Sequence, residues 1–369
     1  MTSFIWGLLA MSGLTASLAA LLEIANMYIA DYGEVHVDIN DGDKEFDATG
    51  GGKLLTTLQD QGIFVPSACG GRGSCGLCKV RVKEGGGPLL PTETPYLEDE
   101  EIERNVRLSC QLKVRENIRI EIPEELFYIK EFLAKVDSLR DLTHNIREVN
   151  LKLVEPNEIK FKPGQFVQFE APQYPGSPEP VYRAYSLASP ASDTGRITLV
   201  ITKVPDGICT TFVHEHLKEG DEVTINGPYG DFYLRDSDAE MIMVATGSGL
   251  APLMSILYQM RDEDIKRKAT LYFGVRTRGD LFYTEELKKL EEQLHDFTFV
   301  PVLSQPGEDT DWDGATGLVT QPINEHLKDG DNDKREAYLC GNPLMIESAV
   351  ELFDNNGITE ERIFYDKFA

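Results

Sequence analysis

Positive charge is scarce in this chain. Lys and Arg number 36 against 62 Asp and Glu, for a net charge of −26, and no Lys or Arg precedes Lys44. A phosphate backbone would be repelled, which excludes a nucleic-acid binder. Anionic head groups would be repelled too, so any membrane contact must be apolar. Cysteine is also scarce: six in 369 residues is no secreted disulfide scaffold. A cleaved signal peptide, the rival reading of an apolar N-terminus, calls for a positive n-region that is missing here. Length, in contrast, is ample for two to three cores at about 100–200 residues per domain. With 41% hydrophobic and 27% charged residues, the composition is that of a globular protein.

The longest apolar run comes first. Phe4–Ile29 carries one charge, Glu23, and the uncharged part Phe4–Leu22 just spans a hydrocarbon core of about 30 Å at about 1.5 Å per residue. We read residues 1–30 as a retained transmembrane helix, with residues 4–29 in contact with the membrane. Ser12, Ala16 and Ala20 recur at steps of four, with Gly13 and Ser17 beside them. Such a row lets another helix approach closely in lipid. The plainer alternative is a lone anchor whose Glu23 reaches the head groups. With no positive flank, the sequence gives no orientation.

Three blocks follow. Residues 33–125 open on the alternating strand Glu34–Ile39 and are rich in glycine. Residues 126–131 read as a linker. Residues 132–235 hold short strands such as Val149–Leu153, Gln165–Glu170 and Ile197–Lys203, which point to an all-β barrel. Residues 236–369 alternate apolar runs (Met241–Ala245, Thr270–Phe273, Thr298–Leu303, Ala337–Cys340) with helical patterns (Pro252–Asp262, Glu285–His295, Leu344–Asn355). That is an α/β domain with a parallel sheet.

Cys69, Cys75, Cys78 and Cys110 form C-x5-C-x2-C-x31-C. Three thiolates on one glycine-rich loop and a distant fourth can hold a [2Fe–2S] cluster. Glycines permit positive φ and let backbone N–H groups face the cluster sulfurs. A zinc site would favour paired C-x2-C units, of which there is one; disulfide pairing is the remaining alternative.

In the barrel block, Arg183-Ala-Tyr185-Ser186 offers paired donors for a pyrophosphate, a flat face for a flavin ring and a hydroxyl for a ring nitrogen. Alone it is also an ordinary strand end. Gly207-Ile-Cys-Thr210 places a glycine before hydroxyls at a helix start, a plausible phosphate cradle. Thr246-Gly247-Ser-Gly249-Leu-Ala-Pro252 joins an apolar strand to a helix through a glycine turn. It lacks the last glycine of G-x-G-x-x-G and is a weak signal by itself. Cys340-Gly341-Asn-Pro again ends a strand at a glycine, where ligands sit in open sheets. Tyr283 and Glu286 are candidates to line the nucleotide site.

In this order the motifs, with the terminal aromatic Phe368, resemble the ferredoxin–NADP reductase superfamily over residues 132–369, which joins an FAD-binding barrel to an NAD(P)-binding α/β domain. The cysteine block resembles [2Fe–2S] ferredoxins, here with five rather than the plant type's four residues in the first gap. The whole chain is similar to the F subunits of sodium-translocating NADH:quinone reductases, in the order of its parts and in phrases such as Gly50–Thr56, Val82–Gly87 and Leu90–Glu93. This resemblance implies a β-grasp-like α+β ferredoxin domain with the four cysteines as iron ligands. It implies Arg183 and Thr210 on FAD phosphates, with Gly207 beside them, Tyr185 on the isoalloxazine and Ser186 near N5. Thr246, Gly247, Gly249 and Pro252 would face the nicotinamide cofactor. Cys340 and Gly341 would sit by the hydride path, and Phe368 over the flavin. Ser186, Cys340 and Phe368 are thereby the candidate catalytic residues. The family carries a longer insertion ahead of Arg-x-Tyr-Ser, where this chain has only the short loop Pro172–Pro180.

The cofactors so implied are NADH, FAD and a [2Fe–2S] cluster, in that electron order, because a flavin accepts a hydride and releases single electrons. NADPH stays open, since Arg276 and Arg278 follow a strand and could meet a 2′-phosphate. Cytosolic NADH puts the C-terminal domains in the cytoplasm, on a single-pass anchor in the cytoplasmic (inner) membrane of a prokaryote. The expected partners are membrane redox subunits of a multi-subunit complex. The alternatives are a stand-alone NAD(P)H-dependent reductase feeding an oxygenase or other metalloenzyme, and a carrier with a degenerate flavin half. Glu93–Glu103 carries six acids and no base: a docking face for a basic partner, or a solvated loop.

Overall fold

A computed structural model of the protein describes residues 6, 11–19, 21, 32–307 and 311–367. Phe368 and most of the predicted membrane segment lie outside these residues. Residues 11–19 are helical and exposed. Among the described residues no helix is long and apolar enough to cross a membrane. The chain divides into two compact units, Met1–Val65 with Gly71–Tyr128, and Pro66–Gly70 with Ile129–Ala369.

The first unit holds a five-stranded mixed sheet: β1 (Glu34–Ile39), β2 (Lys44–Thr49), β3 (Lys79–Glu84), β4 (Val106–Leu108) and β5 (Ile118–Glu121), in the order β2-β1-β5-β3-β4. Only the β1–β5 pair is parallel. Alternation in β1 buries Val35, Val37 and Ile39. Helix α1 (Leu54–Gln59) buries Leu54, Leu55 and Leu58, and a short α2 (Asp99–Glu103) precedes β4. This is the α+β arrangement expected of the ferredoxin block.

The acidic run is not one surface. Glu93 is fully buried and pairs with Arg107 at 2.6 Å. Arg107 also donates to the Gly86 and Pro88 carbonyls (2.8 and 3.0 Å), and Glu93 accepts from the Leu90 and Leu108 N–H groups, each at 2.9 Å. A buried pair is tolerable when its remaining hydrogen bonds are made, as here. Glu101 pairs with Lys79 at 2.7 Å and with Glu98 forms a capping box at the start of α2. Only Glu98, Asp99, Glu100 and Glu103 remain exposed, so a docking face built on the whole run is corrected to these four.

In the second unit, β6 (Lys130–Asp141), β7 (Ile146–Glu155), β8 (Phe166–Ala171), β9 (Val181–Ser186), β10 (Arg196–Thr202) and β11 (Glu222–Tyr229) form an antiparallel sheet in the order β10-β7-β6-β11-β8-β9. A bridge from Leu187 to Leu199 joins its two edges, closing a barrel. β6 begins inside the stretch read as a linker. The short α3 (Ile208–Thr211) follows β10.

The remaining sheet is wholly parallel: β12 (Glu240–Thr246), β13 (Ala269–Val275), β14 (Phe297–Leu303), β15 (Ala315–Thr316), β16 (Arg335–Gly341) and β17 (Ile363–Lys367), in the order β15-β14-β13-β12-β16-β17. Its side chains divide by the period of two. Met241, Met243 and Ala245 share a core with α4 (Leu250–Asp262) and α5 (Thr284–Gln293). Ile242 and Val244 share another with α6 (Thr320–Leu327) and α7 (Pro343–Asn355). Layers on both faces explain why these strands read as unbroken apolar runs. The chain leaves β12 toward β13 and returns on its other side at β16, so the strand order reverses between β12 and β16, where ligands sit in such sheets.

At the far end of β12, Glu240 meets Arg335 at 2.8 Å, Lys268 at 2.9 Å and His326 Nε2 at 3.0 Å, and His326 Nδ1 meets the Tyr272 hydroxyl at 2.7 Å. Burial opposes ionisation of Glu240, but Arg335 and Lys268 outweigh it and hold the carboxyl at about 2. Burial lowers the His326 pKa despite Glu240. The unfolded chain therefore binds the His326 proton more readily, and the stability from the neutral ring is complete above about pH 6.5 and is lost as pH falls below it. Thermal melting at about pH 7.5 and about pH 5.5 should show a smaller loss on acidification in His326→Gln than in the parent. Equal losses would remove His326 as the cause.

Candidate functional site

The ends of β12 and β16 are packed against each other. The Asn342 N–H donates to Thr246 Oγ1 at 3.0 Å. A Cβ on Gly341, at φ +133°, would lie 2.4 Å from that oxygen, and a Cβ on Gly249 would lie 2.3 Å from the Cys340 carbonyl oxygen. Glycine is required at both positions. Gly247 differs: it has open space but a φ of +52°, so it serves the turn's conformation. Gly249 is buried, while Thr246, Gly247 and Ser248 form a half-exposed rim. The turn leads directly into α4, so its backbone N–H groups and the helix start form a cradle that fits a pyrophosphate. The helix begins at Leu250 rather than at Pro252, and Pro252 sits buried in its first turn, where a missing N–H costs nothing.

Cys340 is completely buried in β16. In register with it on β17 is Asp366, which belongs to none of the sequence motifs. Burial pushes the Asp366 carboxyl up to about 6; burial, then Asp366, push the Cys340 thiol well up. The only sequence signal for Asp366 is its place two positions before the terminal aromatic. Phe368 itself lies outside the described residues.

On β9, Arg183 is half-buried and donates from Nη1 to the Tyr182 carbonyl at 2.7 Å. Tyr185 sits edge-on to Phe169 with ring centroids 6.3 Å apart. Its ring is half-buried, and its hydroxyl is buried beside the Cys209 thiol. Burial, then the nearby Cys209, push its ionisation far up. The half-buried ring, on the strand that also carries Arg183, offers a flat face to an aromatic group. Ser186 is buried opposite Phe166. Gly207 leaves no room for a Cβ, which would lie 2.5 Å from Thr210 Oγ1. That hydroxyl accepts from the Val204 N–H at 3.2 Å and donates to the Gly207 carbonyl at 3.2 Å. Thr210 therefore holds the turn with its side chain. Tyr283, a candidate to line the nucleotide site, sends its hydroxyl to Glu148 in the barrel; Glu286 stands 3.9 Å from Arg140.

Of the four cysteines, Cys78 and Cys110 are brought thiol to thiol: the Cys110 thiol, then burial, raise the Cys78 pKa. Ser109 between β4 and Cys110 donates to the Cys78 carbonyl from its N–H at 2.8 Å and from its hydroxyl at 3.0 Å. The Gln111 amide donates to Cys110 Sγ at 3.6 Å. Cys69 is buried in Pro66–Gly70, and Cys75 is half-exposed. Gly70, Gly71, Gly73 and Gly76 all take φ between +63° and +80°, as a loop turned round a cluster requires. Among the described residues, no three Cys, His, Asp or Glu side chains are gathered to hold a single metal ion. Thiols and amide hydrogen-bond donors of this kind fit the chemistry of a [2Fe–2S] cluster, and the structure itself brings together Cys78 and Cys110.

Gly249→Ala should destabilise the chain by about 1–3 kcal/mol through overpacking and weaken NADH binding, read by thermal melting and by nucleotide titration. Parental values in both would show that the Cys340 carbonyl can yield.

Comparison with known proteins agrees with each part. Residues 37–115 match the family model of a 2Fe-2S iron-sulfur cluster binding domain, 133–233 that of an oxidoreductase FAD-binding domain and 243–351 that of an oxidoreductase NAD-binding domain. Among solved structures, the chain is similar to the cytochrome P450 reductase GcoB of Amycolatopsis (TM-score 0.72, 29% identity, 90% of this chain and 98% of that one). It is also similar to the ferredoxin reductase in carbazole 1,9a-dioxygenase (TM-score 0.70, 26% identity, 91% and 99%). The F subunit of the Na(+)-translocating NADH-quinone reductase of Neisseria meningitidis is 35% identical over 402 residues, 99% of each chain, and that of Serratia proteamaculans 35% over 403. These alignments are longer than the 369-residue chain, so the relatives carry residues it lacks. The protein is thus an oxidoreductase with NADH, FAD and [2Fe–2S] as cofactors, passing electrons in that order. By identity along its whole length, it belongs to the family of Na(+)-translocating NADH-quinone reductase F subunits.

Proposed function

We propose that this chain is the electron-input subunit of a quinone-reducing, sodium-translocating membrane complex. Residues 4–29 form its single-pass anchor in the cytoplasmic membrane of a prokaryote, and the remaining domains, divided at residues 33–125, 132–235 and 236–369, work in the cytoplasm. The observation that carries this reading is the 35% identity with a subunit of such a reductase across 99% of both chains. The anchor is supported by the apolar side chains of Trp6, Met11, Leu14, Leu18 and Leu21, which are 59–73% exposed. Apolar surface of that extent on one short segment calls for lipid or a partner helix.

In this reading Cys69, Cys75, Cys78 and Cys110 ligate the cluster. Arg183, Tyr185 and Ser186 on β9, with Gly207 and Thr210, hold FAD. Thr210 stiffens its turn with the hydroxyl, which leaves the backbone to meet phosphate. Thr246, Gly247, Gly249 and Pro252 shape the cradle for the nicotinamide cofactor, and Cys340, Gly341 and Phe368 border the reacting end. Bound there, the flavin supplies the exchange between a hydride and single electrons. The chain's own residues orient both cofactors and keep water out: Cys340 and Ser186 are buried, and Cys340 stays a neutral thiol. The exposed acids Glu98, Asp99, Glu100 and Glu103 offer a rim to a basic partner.

A second reading, a stand-alone reductase serving an oxygenase, is favoured by the likeness to the P450 and carbazole dioxygenase reductases over nine-tenths of the chain.

Purification from native membranes in mild detergent, with a native gel and subunit masses, separates the two. Co-migration with several multi-helix proteins and NADH:quinone activity dependent on sodium is expected. A flavoprotein of about the chain's own 41.2 kDa alone would overturn the complex and leave the second reading.

A further inference from the structure

Strands β7 and β10 pair as an antiparallel ribbon in which Glu148 faces Val200 and Ile146 faces Thr202. Glu148 and Thr202 therefore come from the same end of the ribbon. Both reach out of the barrel to the parallel-sheet lobe. Thr202 Oγ1 donates to Ser248 Oγ at 2.8 Å, and Ser248 is the middle residue of the turn Gly247–Gly249. Glu148 accepts from the Tyr283 hydroxyl, and Tyr283 precedes α5 with a φ of +57°. A left-handed conformation is costly for an aromatic residue and persists where surrounding contacts impose it.

The acceptor is itself fixed. Glu148 is 7% exposed and takes further hydrogen bonds from Arg140 Nη2 at 2.9 Å and Asn150 Nδ2 at 3.0 Å. Between the two contacts, Ile146 and Val200 of the ribbon lie in one buried core with Leu250, Phe282 and Tyr283. The ribbon end thus grips both the cradle turn and the start of the next helix, with apolar packing in the middle. Neither Thr202 nor Tyr283 is among the residues assigned above to FAD or to the pyrophosphate cradle.

We propose that Thr202 and Tyr283 are positioning residues for the hydride transfer: acting through Ser248 and Glu148, they fix the cradle turn relative to the flavin barrel and hence the distance the hydride crosses. This rests on the reading of Thr246–Gly249 as the pyrophosphate cradle. Hydride transfer needs reacting atoms within about 3–3.5 Å, and small misplacements are expensive in rate. The two contacts constrain that separation from outside the cofactor sites.

The test uses the full-length holoenzyme in detergent, with Thr202→Val, Thr202→Ser and Tyr283→Phe. Three quantities are read: steady-state NADH:ferricyanide kinetics, the isotope effect with 4-deuterated NADH, and amide exchange of the peptide covering residues 246–250. Thr202→Val should lower kcat about fivefold with KM changed less than about twofold, raise the isotope effect and speed exchange at the turn. Thr202→Ser should restore all three. Tyr283→Phe should lower kcat in the same way and speed exchange at the start of α5. Thr202 is half-exposed, so its variants decide the matter even where Tyr283→Phe does not fold. Parental turnover and exchange in Thr202→Val, or a loss that Thr202→Ser does not restore, would overturn the proposal. If NAD+ protects peptides other than 246–250 from exchange, the cradle reading fails and takes the proposal with it.

Discussion

Two strand ends, β12 at Thr246 and β16 at Gly341, approach so closely that one hydroxyl oxygen fills the space between them. That approach has a covalent condition, no Cβ at 249 or 341, and a topological cause, the reversal of strand order at this point of the sheet. The rest of the nucleotide edge follows from it. The turn is free to present backbone to phosphate, and Cys340 is sealed beneath it at zero exposure. The barrel ribbon meets the same turn from the other side through Thr202. A single added methyl at this junction disturbs strand spacing and the cradle together.

Much of this is legible in the chain because the period of side-chain burial is short. The alternation of Val35, Val37 and Ile39 marks β1, and unbroken runs such as Met241–Ala245 mark strands covered on both faces. The glycine turn Gly247–Gly249 and the strand that ends on Ser186 are local patterns, and both form the elements read from them. Features built from distant residues are not legible. Glu93 reads as one acid in a charged run, but its partner Arg107 lies across a loop and takes it into the core. Tyr283 and Glu148 are 135 residues apart, and nothing near either announces the other. Thr210 has the right chemistry for a phosphate, yet its nearest acceptor is its own turn.

The correction at Glu93 has a general cause. A polar side chain is assigned to solvent or ligand by default when only sequence is read, whereas the folded chain first satisfies its own buried donors and acceptors. Glu93 accepts hydrogen bonds from Arg107, Leu90 and Leu108, and that spends the whole carboxylate internally. Asp366 is the opposite case: a half-buried acid on β17 whose carboxyl has no internal hydrogen-bond partner among the described residues and is raised to about 6 by desolvation. Charge in the sequence therefore counts for less than where the sheets put it.

The barrel's closing bridge between Leu187 and Leu199 bears on how the chain behaves in company. A closed barrel offers no strand for another molecule to extend. Of the open-sheet margins, β4 and β15 are three and two residues long, β2 carries Lys44, Glu45 and Asp47, and the five-residue β17 carries Asp366 and Lys367. Short or charged margins of this kind discourage edge-to-edge addition. Pairing between copies through the closed barrel or through β2, β4 and β15 is thereby disfavoured.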